Sequence, residues 1–245
     1  MKIKIIGYAI IAAFLMLSFN MKNTGEGVLR IMYAKYAGKW HRALTFRQTT
    51  ERYRNDSLKS TQTWRELMLY PDKLRIDIEP FANNNTIIFR NDSTYRIGGG
   101  ELKASSGQGN DLIFLLGGMY SYPIEKTMEK FKVLGYDLTK AHEDTWKGKP
   151  VYVIGANDNT EKINQIWVDK TDLYLVRMIE YNKTGKEEAL FDDHLKLDAG
   201  WTETKVHFYI DGKLLQVESY FDCKALAGLD EHLFDPYHYV KLPSQ

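Results

Sequence analysis

Residues 61–79 constrain the fold most, because they alternate apolar and polar side chains on both sides of a Pro-Asp-Lys turn. After the turn, Leu74 and Ile76 fall on one side of an extended chain, and Arg75 and Asp77 fall on the other. A period of two residues is the signature of a β-strand with one apolar face. Proline and aspartate suit the turn because proline fixes φ and aspartate bonds back to its own backbone. The segment therefore predicts an antiparallel hairpin whose second strand has one dry face, while the first strand, with apolar side chains on both sides, is at least partly covered on both faces.

Similar short alternating segments recur along most of the chain. We predict a long strand over residues 41–54, shorter strands up to residue 97, and further strands from 136–141 onwards, ending in an Asp-Gly hairpin at 211–212. Helical patterns occur after Thr24, over residues 111–116 and after Pro123. Thr24 and Asn110 can cap the first two of these helices. The expected fold is mainly β, an unclosed antiparallel β-barrel or strongly curved sheet with a helical lid. The two later helices could form a moving flap or a permanent filling.

The N-terminus predicts export. Lys2 and Lys4 precede an apolar run over residues 5–19, which is shorter than the roughly 20 residues of a membrane span. We predict a signal peptide over residues 1–20, with an uncleaved anchor as the alternative, and a single domain over 21–245. No cysteine stands directly after the run, so no N-terminal lipid anchor is expected. The only cysteine, Cys223, allows no internal disulfide, which favours the periplasm.

Composition and motifs argue against several function classes. The net charge is +1 with no basic cluster, so nucleic-acid binding is not expected. The six histidines form no His-Glu-x-x-His pattern, and one cysteine cannot build a multi-cysteine zinc site. No nucleophile elbow or nucleotide-binding loop is present, so we predict neither a catalytic residue, nor a metal, nor a cofactor.

The apolar residues on the strands and inserted helices suggest a cavity instead. Such a site binds an acyl chain through buried area alone, at about 0.8 kcal/mol per methylene. Each candidate residue could equally belong to a permanent core. The candidates for the cavity or lid are Trp64, Met68, Leu74, Ile76, Leu112, Phe114 and Leu115.

The chain resembles the LolA/LolB-like superfamily of periplasmic lipoprotein carriers and receptors. The likeness rests on an N-terminal helix after a signal, the strand–Pro–strand run over 64–78, the strand pair over 163–169 and 173–181, and a closing Phe-Asp-Pro at 234–236. The resemblance implies an unclosed barrel with a helical lid over an apolar cavity for lipoprotein acyl chains.

The resemblance departs at one position. In the carriers an arginine directly before that proline holds the lid closed, whereas the matching residue here is Tyr70. Either another residue locks this lid, or the lid does not open and close as it does in the carriers. The missing anchor cysteine also argues against the membrane-anchored receptor branch.

We therefore predict a periplasmic, non-catalytic protein that holds an acyl chain, a phospholipid or a lipidated protein, with envelope membrane proteins as candidate partners. One alternative is an interaction module in the envelope whose core has no cavity. The other is an envelope hydrolase, whose carboxylates or histidines would come together only in the fold. The sequence does not identify the ligand or the oligomeric state.

Overall fold

The computed structural model describes residues 24–183 and 185–243, so the predicted signal peptide lies outside the described residues. The fold is mainly β, with few helices. Its contacts divide it into two compact units, the larger formed by Tyr36–Pro123 and Asn182–Gln245, and the smaller by Met1–Lys35 and Ile124–Tyr181. Within the described residues, no helix is long and apolar enough to cross a membrane.

The helices are α1 (Gly25–Tyr36), α2 (Asp111–Leu115) and α3 (Ile124–Val133), with 3-10 turns at Phe81–Asn83, Gly118–Ser121 and Glu231–Phe234. The strands are β1 (Ala43–Arg54), β2 (Ser57–Leu69), β3 (Lys73–Ile78), β4 (Asn85–Arg90), β5 (Ser93–Gly98), β6 (Glu101–Ser106), β7 (Ala141–Trp146), β8 (Lys149–Ile154), β9 (Gln165–Asp169), β10 (Leu175–Asn182), β11 (Gly185–Asp192), β12 (Leu195–Leu197), β13 (Gly200–Thr202), β14 (Lys205–Ile210) and β15 (Lys213–Leu226).

The larger unit is built on an antiparallel sheet with the strand order β6–β5–β4–β3–β2–β1–β15–β14–β11. β12 and β13 form a separate two-stranded sheet. Within the part of the chain that the structure describes, β6 and β11 do not pair with each other, so the sheet is not closed into a barrel. This confirms the predicted unclosed antiparallel architecture.

Side chains alternate between two faces of this sheet, and both faces are buried. The helix-covered face packs against Ile113 of α2, and the tail-covered face packs against Phe234 of the C-terminal tail (residues 229–243). The helix-covered face carries Leu44, Phe46, Trp64, Met68, Leu74 and Ile76, and the tail-covered face carries Ala43, Leu67, Leu69, Ile88 and Ile97.

The second face of the predicted hairpin is therefore not in water. Arg75 is 0% exposed and Asp77 is 3% exposed. The guanidinium of Arg75 pairs with the Asp77 carboxylate at 2.9 Å and donates to the Leu233 carbonyl oxygen of the tail at 3.0 Å. The expectation of a single dry face is wrong because the tail covers the polar side and the two charges neutralise each other there.

The smaller unit combines most of α1 with α3 and the strand order β10–β9–β8–β7. Thr24 caps α1 as predicted, since its Oγ1 accepts the Gly27 N–H at 3.1 Å. The predicted strand at 136–141 is wrong. Asp137 instead accepts the N–H and the hydroxyl of Thr139 in a tight turn, and the strand begins at Ala141.

The two helices that were open to either interpretation, a moving flap or a permanent filling, belong to different units. α2 lies in the larger unit, where Asn110 caps it by accepting the Leu112 N–H at 3.1 Å. α3 lies in the smaller unit and buries Met128 and Phe131. Within the larger unit, Ile113 of α2 packs against the helix-covered face.

Candidate ligand cavity

A cavity of about 300 Å³ lies in the larger unit between the helix-covered face and α2. This volume is at the lower end of the range for ligand pockets, about 300–1,000 Å³. Strands β1 to β4 supply most of its apolar wall, because every second side chain of a strand faces the same side. Phe208 of β14 and Tyr220 of β15 extend that wall.

Five of the seven predicted cavity residues line this cavity: Trp64, Met68, Leu74, Ile76 and Leu112. The other two, Phe114 and Leu115, are buried in α2 but are not among the lining residues. The Phe114 ring lies against the Tyr122 ring, with centroids 6.4 Å apart. The helix is apolar on every side, so the sequence could not indicate which side chains face the cavity.

Tyr70, the position that departs from the carriers, also lines the cavity. Its hydroxyl donates to the Leu116 carbonyl oxygen at 3.2 Å, just past the end of α2. The side chain is 8% exposed, and burial raises its pKa above the ordinary value. A neutral tyrosine therefore connects the helical segment to the sheet.

The main polar feature of the cavity is a cluster of three glutamates, Glu66, Glu203 and Glu218. They come from β2, from the segment after β13 and from β15, and they are 6%, 6% and 8% exposed. No lysine, arginine or histidine is among the lining residues. Burial of an unpaired carboxylate is costly, so such groups tend to hold their protons.

The three carboxyl groups differ in their hydrogen bonds. Glu218 accepts from Gln216 Nε2 at 2.6 Å and from the Tyr220 hydroxyl at 2.7 Å. Arg52, whose guanidinium stands over the Trp64 ring at 5.5 Å, adds a favourable charge to Glu218. Among the described residues, no side chain hydrogen-bonds the carboxyl group of Glu66 or Glu203. Glu203 has a hydrogen bond from its own backbone, which opposes the rise of its pKa. In the part of the chain that the structure describes, these two carboxyl groups therefore lack a side-chain partner.

Burial shifts all three pKa values in the same direction. Desolvation raises the pKa of Glu203 to about 8, and the charge of Glu218 adds to the effect. Desolvation also raises the pKa of Glu66 well above its ordinary value, with contributions from Glu218 and Glu203. Burial raises the pKa of Glu218 too, although its hydrogen bonds oppose the shift. At neutral pH the Glu203 carboxyl therefore largely holds its proton.

Sequence reasoning missed this cluster. One signal was present, since Glu66 has the same parity as Trp64 and Met68 and so places an acid in an apolar stripe. Glu203 and Glu218 are far from it in sequence, and only the fold brings the three together. Over residues 24–183 and 185–243, no group of three or more His, Cys, Asp or Glu side chains is arranged to hold a metal ion.

No family model matches the sequence, and no curated protein matches it. Solved structures do match. They include a DUF1329 family protein from Desulfovibrio piger (14% identity, TM-score 0.57, covering 86% of this chain and 95% of that one) and a LolA superfamily protein from Nitrosomonas europaea (11%, 0.53, 86% and 97%). A third is a putative outer membrane lipoprotein-sorting protein domain from Vibrio parahaemolyticus (13%, 0.58, 86% and 95%). The chain has a LolA-like fold. At these identities the likeness concerns the fold alone.

Proposed function

We propose that this protein binds the acyl chain of a lipid or of a lipid-modified protein in the cavity of the larger unit, without catalysis. The cavity carries the proposal, because its wall is built from apolar side chains of β1 to β4 and α2. The similarity to a structure described as an outer membrane lipoprotein-sorting domain supports it. We further propose that residues 1–20 direct the chain to the periplasm and that residues 21–245 act there as one domain.

The volume limits how much of a ligand the cavity can bury. At about 300 Å³ it holds part of a long acyl chain, and each buried methylene adds about 0.8 kcal/mol before entropic losses. Burying a longer part of the chain between α2 and the sheet would require α2 to move away from the sheet. Such a movement would break the hydrogen bond from the Tyr70 hydroxyl to the Leu116 carbonyl oxygen, just past the end of α2.

Native mass spectrometry of residues 21–245, purified from a bacterial periplasm without detergent, tests the proposal. Organic extraction of the same sample identifies the class of any bound molecule. A stoichiometric adduct that extracts as a phospholipid, fatty acid or acylated peptide is expected. A fluorescent acyl probe should also bind the purified protein and be displaced by the extracted lipid.

A matched pair of variants locates the binding. Leu112→Trp fills the cavity from α2, whereas Leu58→Trp adds the same bulk at an exposed position of β2. We expect Leu112→Trp to weaken probe binding at least about tenfold, which corresponds to about 1.4 kcal/mol, and Leu58→Trp to leave it unchanged. A clean apo mass and no probe binding would refute the proposal, as would equal binding by both variants.

The glutamate cluster favours a second candidate, an envelope hydrolase. Buried carboxyl groups with raised pKa values are typical of general acids in active sites. Glu203, with a pKa of about 8, would be the acid. Turnover of an ester or glycoside probe by the wild type, lost in Glu203→Gln while binding is retained, would establish this candidate over the carrier function.

A further inference from the structure

We propose that the cavity recognises an ammonium group on its ligand, and that the carboxyl groups of Glu66 and Glu203 hold it. The inference rests on the proposed function only in placing a ligand in this cavity. It adds the chemistry of the ligand's head, which an apolar wall does not define.

Charge complementarity is the first support. Three acidic side chains line the cavity and no basic side chain does. Arg52 acts on Glu218, which Gln216 and Tyr220 also satisfy. Glu66 and Glu203 therefore lack a cationic partner within the described chain, and an ammonium group supplies the charge and the three N–H donors that they need.

The indole of Trp64 is an independent sign of a ligand. Trp64 is 5% exposed and lines the cavity two residues before Glu66 on the same face of β2. Its Nε1–H has no acceptor among the described residues. Buried indole N–H groups normally find one. A ligand oxygen close to the ammonium group, such as a hydroxyl, carbonyl or phosphate-ester oxygen, would accept this hydrogen bond.

Entry of the ammonium group changes the protonation of the site. Glu203 holds a proton at neutral pH, and the carboxylate forms when the cation arrives, so binding releases a proton to the solvent. The other groups that face this carboxyl are the acids Glu66 and Glu218, the hydroxyls of Tyr70 and Tyr220, and the Cys223 thiol, all of which have raised pKa values. Arg52 is the cation that acts on Glu218.

The resulting ligand class is an amphiphile with an acyl or alkyl chain and an ammonium head that carries a neighbouring oxygen. A simple test uses dodecylamine, dodecanol and dodecanoic acid, which share one chain and differ in the head. Titration calorimetry in buffers of different ionisation enthalpy measures both affinity and protons released. We expect the amine to bind at least about tenfold more tightly than the alcohol, and to release a proton at pH 7.

Variants distinguish recognition of the ligand's ammonium head from binding of its alkyl chain. Glu66→Gln and Glu203→Gln should reduce binding of the amine to the level of the alcohol and leave the alcohol unchanged. Glu101→Gln removes an acid of the same unit that is paired with Lys103 on the surface, and it should change nothing. Amine affinity should also rise between pH 6 and pH 8, by up to about tenfold per pH unit for one released proton.

Two results would overturn the inference in different ways. Equal binding of amine and alcohol, or tighter binding of the acid, would refute the ammonium site and leave the acyl-binding function intact. Failure of all three compounds to bind would refute both.

Discussion

The two faces of the sheet in the larger unit each bury a cluster of ionisable side chains, but among the described residues only one of the two clusters contains both an acid and a base that pair with each other. On the tail-covered face, Arg75 and Asp77 form an ion pair, and Thr86 Oγ1 donates to Asp77 at 2.7 Å. On the helix-covered face, no cation from residues 24–183 or 185–243 pairs with Glu66 or Glu203. Residues 65 and 66 are consecutive on β2 and face opposite sides, so one strand serves both environments.

The difference distinguishes a structural contact from a candidate site. A buried ion pair with complete hydrogen bonding adds little net stability to a protein. Removing one partner is nevertheless strongly destabilising, because the other charge is left buried and unpaired. Unpaired buried carboxyl groups instead reduce the free energy of unfolding at any pH where they would ionise in water. A fold gains nothing structurally from keeping them, which is why we assign them to ligand binding.

The covers of the two faces differ in the same way. Three arginines bond to backbone oxygens of the tail: Arg65 to Pro243 at 2.8 Å, Arg75 to Leu233 at 3.0 Å and Arg90 to Phe234 at 3.2 Å. The segment after α2 accepts the Tyr70 hydroxyl at 3.2 Å. Charge-assisted hydrogen bonds are about twice as strong as neutral ones, so the tail is the firmer cover.

The largest expected effect comes from breaking the neutralised cluster. Asp77→Asn leaves the fully buried guanidinium of Arg75 without a counter-charge, which should lower the free energy of unfolding by about 3–5 kcal/mol. Denaturant unfolding measures it, with Glu101→Gln at an exposed pair as the control. A loss no greater than that of the control would mean that the pair does not hold the tail.

Removing a charge from the glutamate cluster is expected to raise the free energy of unfolding at alkaline pH, whereas Asp77→Asn lowers it. Because the folded pKa of Glu203 is raised from 4.5 to about 8, its proton favours the folded state fully below about pH 4.5, and this contribution is lost as pH rises towards 8. The wild type should therefore lose stability between pH 5 and pH 8, by roughly 3 kcal/mol from Glu203 alone. Glu203→Gln should flatten this decline and be the more stable protein at pH 8. A wild-type profile that is flat over this range would contradict the shift.

The sequence predicted the hairpin over residues 61–79 and the caps of α1 and α2, because local periodicity and turn chemistry determine these. Periodicity also placed Trp64 and Met68 on one face of the first strand and Leu74 and Ile76 on one face of the second, but it did not indicate that these faces line a cavity. It could not predict the covered face of Arg75 and Asp77. Their polarity indicates water, and only the tail, about 155 residues later, excludes it. The sequence could not predict the glutamate cluster for the same reason, since its members come from β2, the segment after β13 and β15, which are far apart in the chain.

The smallest effect concerns the weaker cover. Tyr70→Phe removes the hydroxyl that donates to Leu116 and keeps the ring in the apolar wall, so it should cost about 1 kcal/mol of local stability. Hydrogen exchange gives the readout, because the Leu116 amide bonds to the Leu112 carbonyl oxygen at 2.8 Å and reports opening of α2. We expect its protection to fall about fivefold, while that of the Leu233 amide in the tail stays the same. Release of an acyl probe should accelerate in proportion if α2 must move for the chain to leave. Unchanged protection at Leu116 would show that Ile113 and its apolar neighbours, rather than Tyr70, hold the helix on the sheet.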